Sequence, residues 1–365
     1  MDERPSDLTP RQLSALLWTA MLAPLVRQAP GAALPAAGKA AWISALLTLP
    51  GAAALSMVLS VLLRRRQPGE RPGMLLCRCV GKTPGRILGA LGTTWLLFSA
   101  GFTLRVGADR LVAAVYPESE SVLFAGAMLL LALPAARGRL RVLGRMGEIA
   151  GPVLGALFLA AALTSLRLAE AAELLSLPKG VLRDAAMGSL PLLGTLSAGA
   201  FFALLAEETP LRRPGRTFFL PLAGLSGVAA LLSVLILGVF GPALAGEMNY
   251  PFFVLVRNLR LPHLLERGEA LVAAAWVVSD YLLTAAQLQM TSRAAALALY
   301  GPGKERPDAL VWVCAILTGA AAWLCAGDTF ALQRLGRVWI PAGDLILVWG
   351  VLPGVFAVGR LRKRI

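Results

Sequence analysis

The chain has 365 residues, of which 57% are hydrophobic and only 15% are charged, and its mean hydropathy is +0.69. Soluble domains carry about 25% charged residues, so this composition excludes a soluble enzyme. The net charge of +14 does not indicate a nucleic acid partner, because the basic residues fall in short runs between apolar stretches without an aromatic platform. We therefore predict an all-α integral membrane protein whose surroundings are the lipid bilayer.

A helix needs about 20 apolar residues to cross the hydrocarbon, and the stretches between charges predict ten such helices, called spans one to ten. They cover residues 12–26, 40–63, 87–104, 121–136, 149–166, 185–206, 217–246, 270–292, 309–327 and 338–359. No hydrophilic stretch is long enough for another domain, so 1–365 is predicted to be a single integral membrane domain. The first twelve residues hold five charges, and no cleavable signal peptide is expected.

The basic residues predict the orientation of the chain in the membrane. Seven of them lie between spans two and three, and most of the others fall in segments that share that side. Basic loops stay in the cytoplasm, which places both termini there. The two longer outer segments, 167–184 and 248–269, mix leucine with charges at helical spacing and are expected to lie as helices on the outer face, where they serve packing or gating.

Catalytic and metal-binding constellations are missing from the sequence. His263 is the one histidine and has no set of partners for a catalytic triad. Cys77 and Cys79 form a lone CxC motif, which favours reduced thiols over a zinc site. Glu207 and Glu208 are adjacent, so they point to different helix faces and are expected to meet the arginines of the following loop. We expect neither an enzyme nor a cofactor.

Spans one and six contain helix-breaking residues at corresponding positions. Span one holds Pro24, and span six reads SLPLLGTLSAGAFFALL, with a proline and two glycines around Thr195 and Ser197. Proline removes a backbone donor, and glycine lowers the cost of non-helical geometry. The pattern predicts a five-plus-five inverted repeat, approximately 8–167 and 185–360, with a substrate site at the membrane midplane. The alternative is that these residues serve only helix packing, since glycine and proline are both common in membrane helices.

Two carboxylates, Asp280 and Asp344, lie within predicted spans. Burying an ionised side chain costs a few kcal/mol or more (about 2.5–3.5 on insertion scales), so each is expected to face a cavity or a partner. Polar neighbours of Asp280 could line the same cavity: Ser279, Tyr281 and Thr284. Asp344 is expected near the outer surface, where Arg334 and Arg337 could neutralise it.

Four stretches form an ordered pattern along the chain. They are LTPRQLSALL at the start, GKAAWISALLTLPGAAALS in span two, YPESESVLFAGAMLLLALPAARGRLRVLGRMGEIAGPV around span four, and YPFFVLVRNLRLPHLLERGEALVAAAWVVSDYL before and within span eight. In this order they resemble the spore germination permease family, the B-type integral membrane subunits of nutrient germinant receptors.

The resemblance implies a LeuT-like fold of ten helices, as in amino acid–polyamine–organocation transporters, with spans one and six broken. It implies a nutrient, commonly an amino acid, bound at the two breaks, and A- and C-type receptor subunits as partners in the spore inner membrane. The usual glycine of the first break is Ala23 here, and a basic residue often seen in span eight is Leu283. With Asp280 added from its own chemistry, the expected ligand-binding residues are Ala23, Pro24, Phe98, Gly101, Thr195, Leu196, Ser197, Asp280 and Thr284.

The expected function is a membrane subunit that senses a small nutrient and signals germination. Two alternatives remain open at this point: an amino-acid permease of the same fold, and a structural membrane subunit that binds no ligand.

Overall fold

The computed structural model describes residues 8–67, 69–114, 118–170, 174, 180–206, 211–248, 250–258, 268–304 and 306–363. Across these residues the chain is helical and contains no β-strand. The helices are α1 (Pro10–Gln28), α2 (Leu34–Ala37), α3 (Ala41–Leu46), α4 (Thr48–Arg64), α5 (Pro72–Val80), α6 (Lys82–Ala114), α7 (Ser121–Arg137), α8 (Leu140–Ser165), α9 (Val181–Ser197), α10 (Pro214–Glu247), α11 (Pro251–Asn258), α12 (Gly268–Tyr300), α13 (Asp308–Leu324), α14 (Thr329–Arg334) and α15 (Ile340–Leu361).

Each of the ten predicted spans falls on one of these helices or on a pair of them. Within the described residues, six are long and apolar enough to cross a membrane: α6, α8, α9 with its continuation, α10, α12 and α14–α15. A seventh crossing is the pair Leu34–Leu46 and Thr48–Arg64, which is bent by 45°. The helices α7 and α13 are apolar and 17 residues long, and α1 has 19 residues. The chain is a multi-pass membrane protein.

The first helix lies at the centre of the bundle. It begins with a capping box, in which the Thr9 hydroxyl accepts from the Gln12 N–H at 3.2 Å and the Gln12 side chain accepts from the Thr9 N–H at 3.1 Å. Most of α1 is buried, and it packs against α8, α10 and α12. Gly147 of α8 permits the close approach, since a Cβ there would lie 2.8 Å from the Leu16 Cα. A helix buried on all sides is typical of a position inside a bundle.

The two predicted breaks differ in the structure. The helix α1 stays helical through Ala23 and Pro24 and ends at Gln28, so its interruption comes after the predicted position. In span six, α9 ends at Ser197 and continues as a 3-10 helix over Ala198–Leu205. The backbone geometry of span six therefore changes directly after the predicted break. The 3-10 run is unusually long, since runs of more than three or four residues are uncommon.

The last span is also irregular. A π-helical turn, Leu335–Trp339, joins α14 to α15, so the helix starts well before residue 338, the predicted start of span ten. A π-helical turn widens the helix locally and is often found at functional sites.

Several predictions fall on residues that the structure does not describe. These are Glu207, Glu208, His263 and residues 171–173, 175–179, 249 and 259–267 of the two outer segments. The described parts of those segments include the 3-10 turn Leu166–Leu168, the first turn of α9, and α11. The approximate repeats, 8–167 and 185–360, stay a prediction.

Candidate ligand site

A small cavity, with polar side chains among its lining residues, lies at the centre of the bundle between α1, α6, span six, α12 and α15. Its volume is about 40 Å³, which is the space of a few water molecules, since one water needs about 10–15 Å³ measured in this way. Its polar or charged lining residues are Arg27, Gln28, Ser99, Thr103, Thr195, Gln287 and Asp344. The remaining lining is apolar and comes from Met21, Pro24, Leu96, Phe102, Ala198, Phe201, Phe202, Leu283, Met290 and Ile340.

Three positions along α6 hold the charged and polar groups of this cavity. The Trp95 indole N–H donates to the Asp344 carboxylate at 2.8 Å, and the Ser99 hydroxyl accepts from the Gln287 amide N–H at 3.3 Å. Phe102 lies two turns from Trp95 on α6. The Arg27 guanidinium lies over the Phe102 ring, 4.8 Å from the ring centroid, and makes a cation–π contact. One side of α6 therefore holds a carboxylate, an amide and a guanidinium in sequence.

Two of these groups are incompletely satisfied. Gln287 is 5% exposed, and its Oε1 atom is buried without a hydrogen-bond partner. No carboxylate of the described chain lies within ion-pair distance of Arg27. Buried polar atoms normally have partners, so both groups are available to a ligand.

Of the nine predicted ligand-binding residues, Pro24 and Thr195 line this cavity. Thr195 is 6% exposed, and its hydroxyl donates to the Pro191 carbonyl of its own helix at 3.2 Å. Leu196 is buried in the apolar core beside it. The Ser197 hydroxyl accepts from the Trp349 indole N–H at 3.0 Å, so it ties α9 to α15.

The other predicted positions serve packing in this structure. Phe98 stacks at a tilt on Trp95, with the ring centroids 5.9 Å apart. Gly101 faces α13 so closely that a Cβ there would lie 2.7 Å from the Ala322 backbone nitrogen. The Thr284 hydroxyl is buried 3.9 Å from the Met128 sulfur. None of these three residues is among those lining the central cavity.

Ala23 contributes its backbone rather than a cavity wall. Its N–H donates to the Ser279 hydroxyl of α12 at 3.0 Å, and that hydroxyl donates to the Thr19 carbonyl at 2.6 Å. Pro24 has no N–H to offer to the Ala20 carbonyl one turn earlier, and the Ser279 hydroxyl also lies 3.4 Å from that oxygen. A side chain of span eight thus supports α1 at the predicted break, which explains how the helix continues there.

Asp280 is part of a buried ion pair. Its carboxylate accepts from the Arg110 guanidinium of α6, and both side chains are buried. Arg110 also lies 4.6 Å from the centroid of the Trp276 ring. The expectation that Asp280 faces either a cavity or a partner is therefore confirmed in its second form, because Arg110 of a neighbouring helix neutralises its charge. The suggestion that Asp280 shares a cavity with Tyr281 and Thr284 is wrong.

The expectation for Asp344 is wrong as well. It is 2% exposed and bonds to Trp95, whereas Arg337 donates to the Met248 carbonyl at 3.4 Å and Arg334 forms no ion pair with it in the described chain. Asp344 follows the π-helical turn by one helical turn, which places it on the inner side of α15 beside α6.

Arg27, Arg110 and Gln287 were not predicted as site residues. Both arginines were interpreted as charges beyond the end of a span, yet Arg27 lies in the last turn of α1 and Arg110 lies within α6. The signal for Gln287 was in the sequence, because residues 280, 284, 287 and 291 recur at helical spacing and are all polar and buried. Polar residues inside a membrane span mark a site by default.

A larger cavity of about 240 Å³ lies between α4, α5, α6, α12 and α15. Its lining is mainly apolar, and its charged residues are Arg71, Arg293, Lys304 and Arg306. The smaller cavity is the better candidate site, because polar groups from five helices converge on it. The described part of the chain holds no cluster of three His, Cys, Asp or Glu residues that could bind a metal ion.

Comparisons with known proteins agree with this architecture. The chain is similar to MhsT in a crystal structure in complex with L-phenylalanine, with a TM-score of 0.65 and 13% sequence identity, over 94% of this chain and 89% of that one. A likeness at this identity shows the fold, which is LeuT-like. A comparison with curated proteins gave no match. The family model described as "Spore germination protein" matches residues 7–296. The chain therefore belongs to the spore germination protein family, the spore permeases.

Proposed function

We propose that the chain is the membrane subunit of a spore nutrient germinant receptor, which binds a small nutrient such as an amino acid in the central cavity and signals germination. The observation that carries the proposal is the convergence of Arg27, Gln287 and Asp344 on a cavity between the spans of a LeuT-like bundle. The family membership supports spore germination as the process in which the chain takes part. The structure of MhsT with L-phenylalanine supports an amino acid as the ligand class.

Ligand binding would act on the irregular parts of spans one and six. The 3-10 segment Ala198–Leu205 and the end of α1 both border the cavity. A 3-10 segment has poorer hydrogen-bond geometry than an α-helix, so these are the segments we expect to change conformation. A ligand that binds one conformation better than the other shifts the equilibrium toward the conformation it prefers. The expected A- and C-type subunits would read this shift in the spore inner membrane, with both termini of this chain in the cytoplasm.

An amino-acid permease is the second candidate function, and the fold favours it equally. Uptake of labelled amino acids into proteoliposomes separates the two, because a sensor binds without net transport. A structural subunit that binds nothing is the third. Neighbouring genes for a lipoprotein and a membrane subunit with a large soluble part would favour the receptor.

Germination of spores tests the proposal. Spores of a strain lacking the gene are complemented with the wild-type chain or with Thr195→Phe, which fills the cavity. We expect a response to nutrient mixtures only with the wild-type chain, at equal protein levels. If spores without the gene respond to every nutrient as before, the receptor role is wrong.

A further inference from the structure

The larger cavity, between α4, α5, α6, α12 and α15, differs in kind from the central one. Its volume of about 240 Å³ exceeds that of an engineered apolar protein cavity, about 150 Å³, that binds benzene. Most of the side chains around it are apolar. Leu96 and Phe201 line both cavities, and the other lining residues differ. The larger cavity can therefore hold an apolar group that the central cavity cannot.

The larger cavity reaches the surface of the bundle at membrane depth. Its lining residues along α6 run from Leu88 to Leu96, which is about 12 Å at a rise of 1.5 Å per residue. Leu91 lines the cavity and is 47% exposed, and Ile87, one turn earlier, is exposed as well. Both lie in a helix that is apolar enough to cross the membrane. An acyl chain can therefore enter the cavity from the bilayer without passing through water.

One end of the larger cavity is basic. Its lining includes Arg71, at the start of α5, Arg293 of α12, and Lys304 and Arg306, which follow α12. The Arg71 guanidinium donates to the Lys304 carbonyl at 3.3 Å. Arg293 and Arg306 both donate to the Gln289 Oε1 atom, Arg306 at 2.9 Å. Because this amide is neutral, it holds two cations close together without balancing either charge.

The basic end keeps a net positive charge. No carboxylate is among the described residues that line the cavity. The neighbouring carboxylates have other partners, since Glu70 pairs with Arg78 at 2.8 Å and Asp308 pairs with Arg137 at 3.5 Å. Glu305 lies between two of the cations in the sequence and can balance one of the four charges at most. A phosphate group, with several acceptor oxygens, matches such a cluster of guanidinium and ammonium donors.

We propose that the larger cavity binds an anionic membrane phospholipid, with an acyl chain in the apolar part and the phosphate at the basic end. Basic pockets between membrane helices are recurrent sites for anionic headgroups. This inference goes beyond the proposed function and does not depend on it. The bound chain would contact the 3-10 segment of span six, because Ala200, Ala203 and Leu204 line the same cavity.

Native mass spectrometry of the purified full chain in detergent tests the proposal. The probes are phosphatidylglycerol and phosphatidylcholine with identical acyl chains. We expect the chain to retain phosphatidylglycerol and to bind phosphatidylcholine at least about tenfold more weakly, because the zwitterionic headgroup brings no net negative charge. Equal retention of the two lipids would overturn the proposal.

Soluble phosphates separate a lipid site from a phosphate-ion site. Glycerol 3-phosphate and inorganic phosphate carry the charge of the headgroup but no acyl chain. We expect neither to displace phosphatidylglycerol at equal concentration, because neither fills the apolar part of the cavity. Displacement by either one would show a site for soluble phosphate and would overturn the assignment to a lipid.

A double variant tests the basic end. Arg71→Gln/Lys304→Gln should weaken phosphatidylglycerol binding about tenfold or more, because charge-assisted contacts are lost, and should leave phosphatidylcholine binding unchanged. The matched control is Arg139→Gln/Arg145→Gln, which removes two exposed cations that do not line the cavity; it should change neither affinity. Equal weakening by the two double variants would indicate general surface attraction and would contradict a built site.

A second variant tests the apolar part. Gly92 lines the cavity, and nothing lies within 4 Å of a Cβ built there, so Gly92→Phe places a ring in open space where the acyl chain would lie. Gly350→Phe is the control, since a Cβ at Gly350 also meets nothing within 4 Å but Gly350 does not line the cavity. With helical content matched by circular dichroism, we expect phosphatidylglycerol to be lost from Gly92→Phe and retained by Gly350→Phe. Equal retention by both variants would show that no chain enters the cavity.

Discussion

The Ser279 hydroxyl of span eight accepts the Ala23 N–H of span one at 3.0 Å and donates to the Thr19 carbonyl at 2.6 Å. One side chain is thereby inserted among the backbone groups of α1, at the turn where Pro24 removes a donor. Insertion of a side chain into a helical ladder is a known cause of local bending, and here it couples two spans that border the cavity.

Ser279→Ala tests this coupling. We expect the free energy of unfolding to fall by about 1–3 kcal/mol, because buried backbone groups of α1 lose a partner. Hydrogen exchange at Ala23 should accelerate. The control is Ser233→Ala, since the buried Ser233 hydroxyl donates to the Ala229 carbonyl of its own helix at 2.8 Å and, among the described residues, joins no other helix. Equal melting temperatures for the two variants would show that Ser279 does not support α1.

Asp280→Asn tests the buried ion pair with Arg110. The variant leaves a guanidinium buried without its counter-charge, and breaking such a pair costs about 3–5 kcal/mol. We expect a large fall in thermal stability, and a smaller one in the double variant Asp280→Asn/Arg110→Gln. Asp109→Asn, which removes the partly exposed partner of Arg105, should have little effect. A double variant as unstable as the sum of its two single variants would exclude direct coupling.

Gly101 is predicted to matter for packing and not for ligand contact. A methyl group there would lie 2.6 Å from the Ala321 Cβ, so Gly101→Ala should destabilise the protein by about 1–3 kcal/mol through overpacking. The control is Gly92→Ala on the same helix, where nothing lies within 4 Å; it should be neutral or stabilise by up to about 1 kcal/mol. Ligand affinity measured on folded protein should be unchanged in both. A loss of ligand affinity in Gly101→Ala but not in Gly92→Ala would show that Gly101 belongs to the ligand site.

The cysteines of α5 predict a dependence on pH. Burial raises the pKa of the Cys77 and Cys79 thiols above their ordinary value, although Arg86 and Arg78 oppose the effect. As the pH rises, the thiols of the unfolded chain lose their protons at a lower pH than the thiols of the folded chain. Between the two pKa values the folded state holds more protons than the unfolded state, so the free energy of unfolding falls as the pH rises. Alkylation by iodoacetamide, followed at each peptide by mass spectrometry, should rise at higher pH in folded than in denatured protein. Coincident pH curves would contradict the burial.

Hydropathy was sufficient to predict an all-α membrane protein and the positions of its long helices, because crossing a bilayer needs long apolar helices whatever the rest of the fold does. The LeuT-like arrangement of those helices was implied by the family resemblance. Proline and glycine also marked the segments around Pro24 and Thr195, and both residues line the central cavity. Both lie within regular helix, however, and the irregular backbone begins only after Gln28 and after Ser197. Arg27 and Arg110 were missed for a physical reason: a charge in the sequence was taken as the end of a span. Only the contact of Arg27 with the Phe102 ring of α6, and the ion pair of Arg110 with Asp280, show that these charges lie inside the protein.

The details of the first break required three-dimensional information for a similar reason. Pro24 predicts that a hydrogen bond is missing, but nothing local shows that Ser279, more than 250 residues later, supplies the replacement. The burial of Asp344 was not predictable for the same reason, because its hydrogen-bond partner Trp95 comes from a helix that is distant in the sequence.

Binding of labelled amino acids to the purified chain tests the central claim, which is that a ligand occupies the cavity between spans one, three, six, eight and ten. Thr195→Phe places a ring in that cavity, and Met187→Phe places one at a position of the same helix that is 56% exposed. We expect saturable binding to the wild-type chain and to Met187→Phe, and none to Thr195→Phe. Equal binding to all three folded proteins would contradict the account.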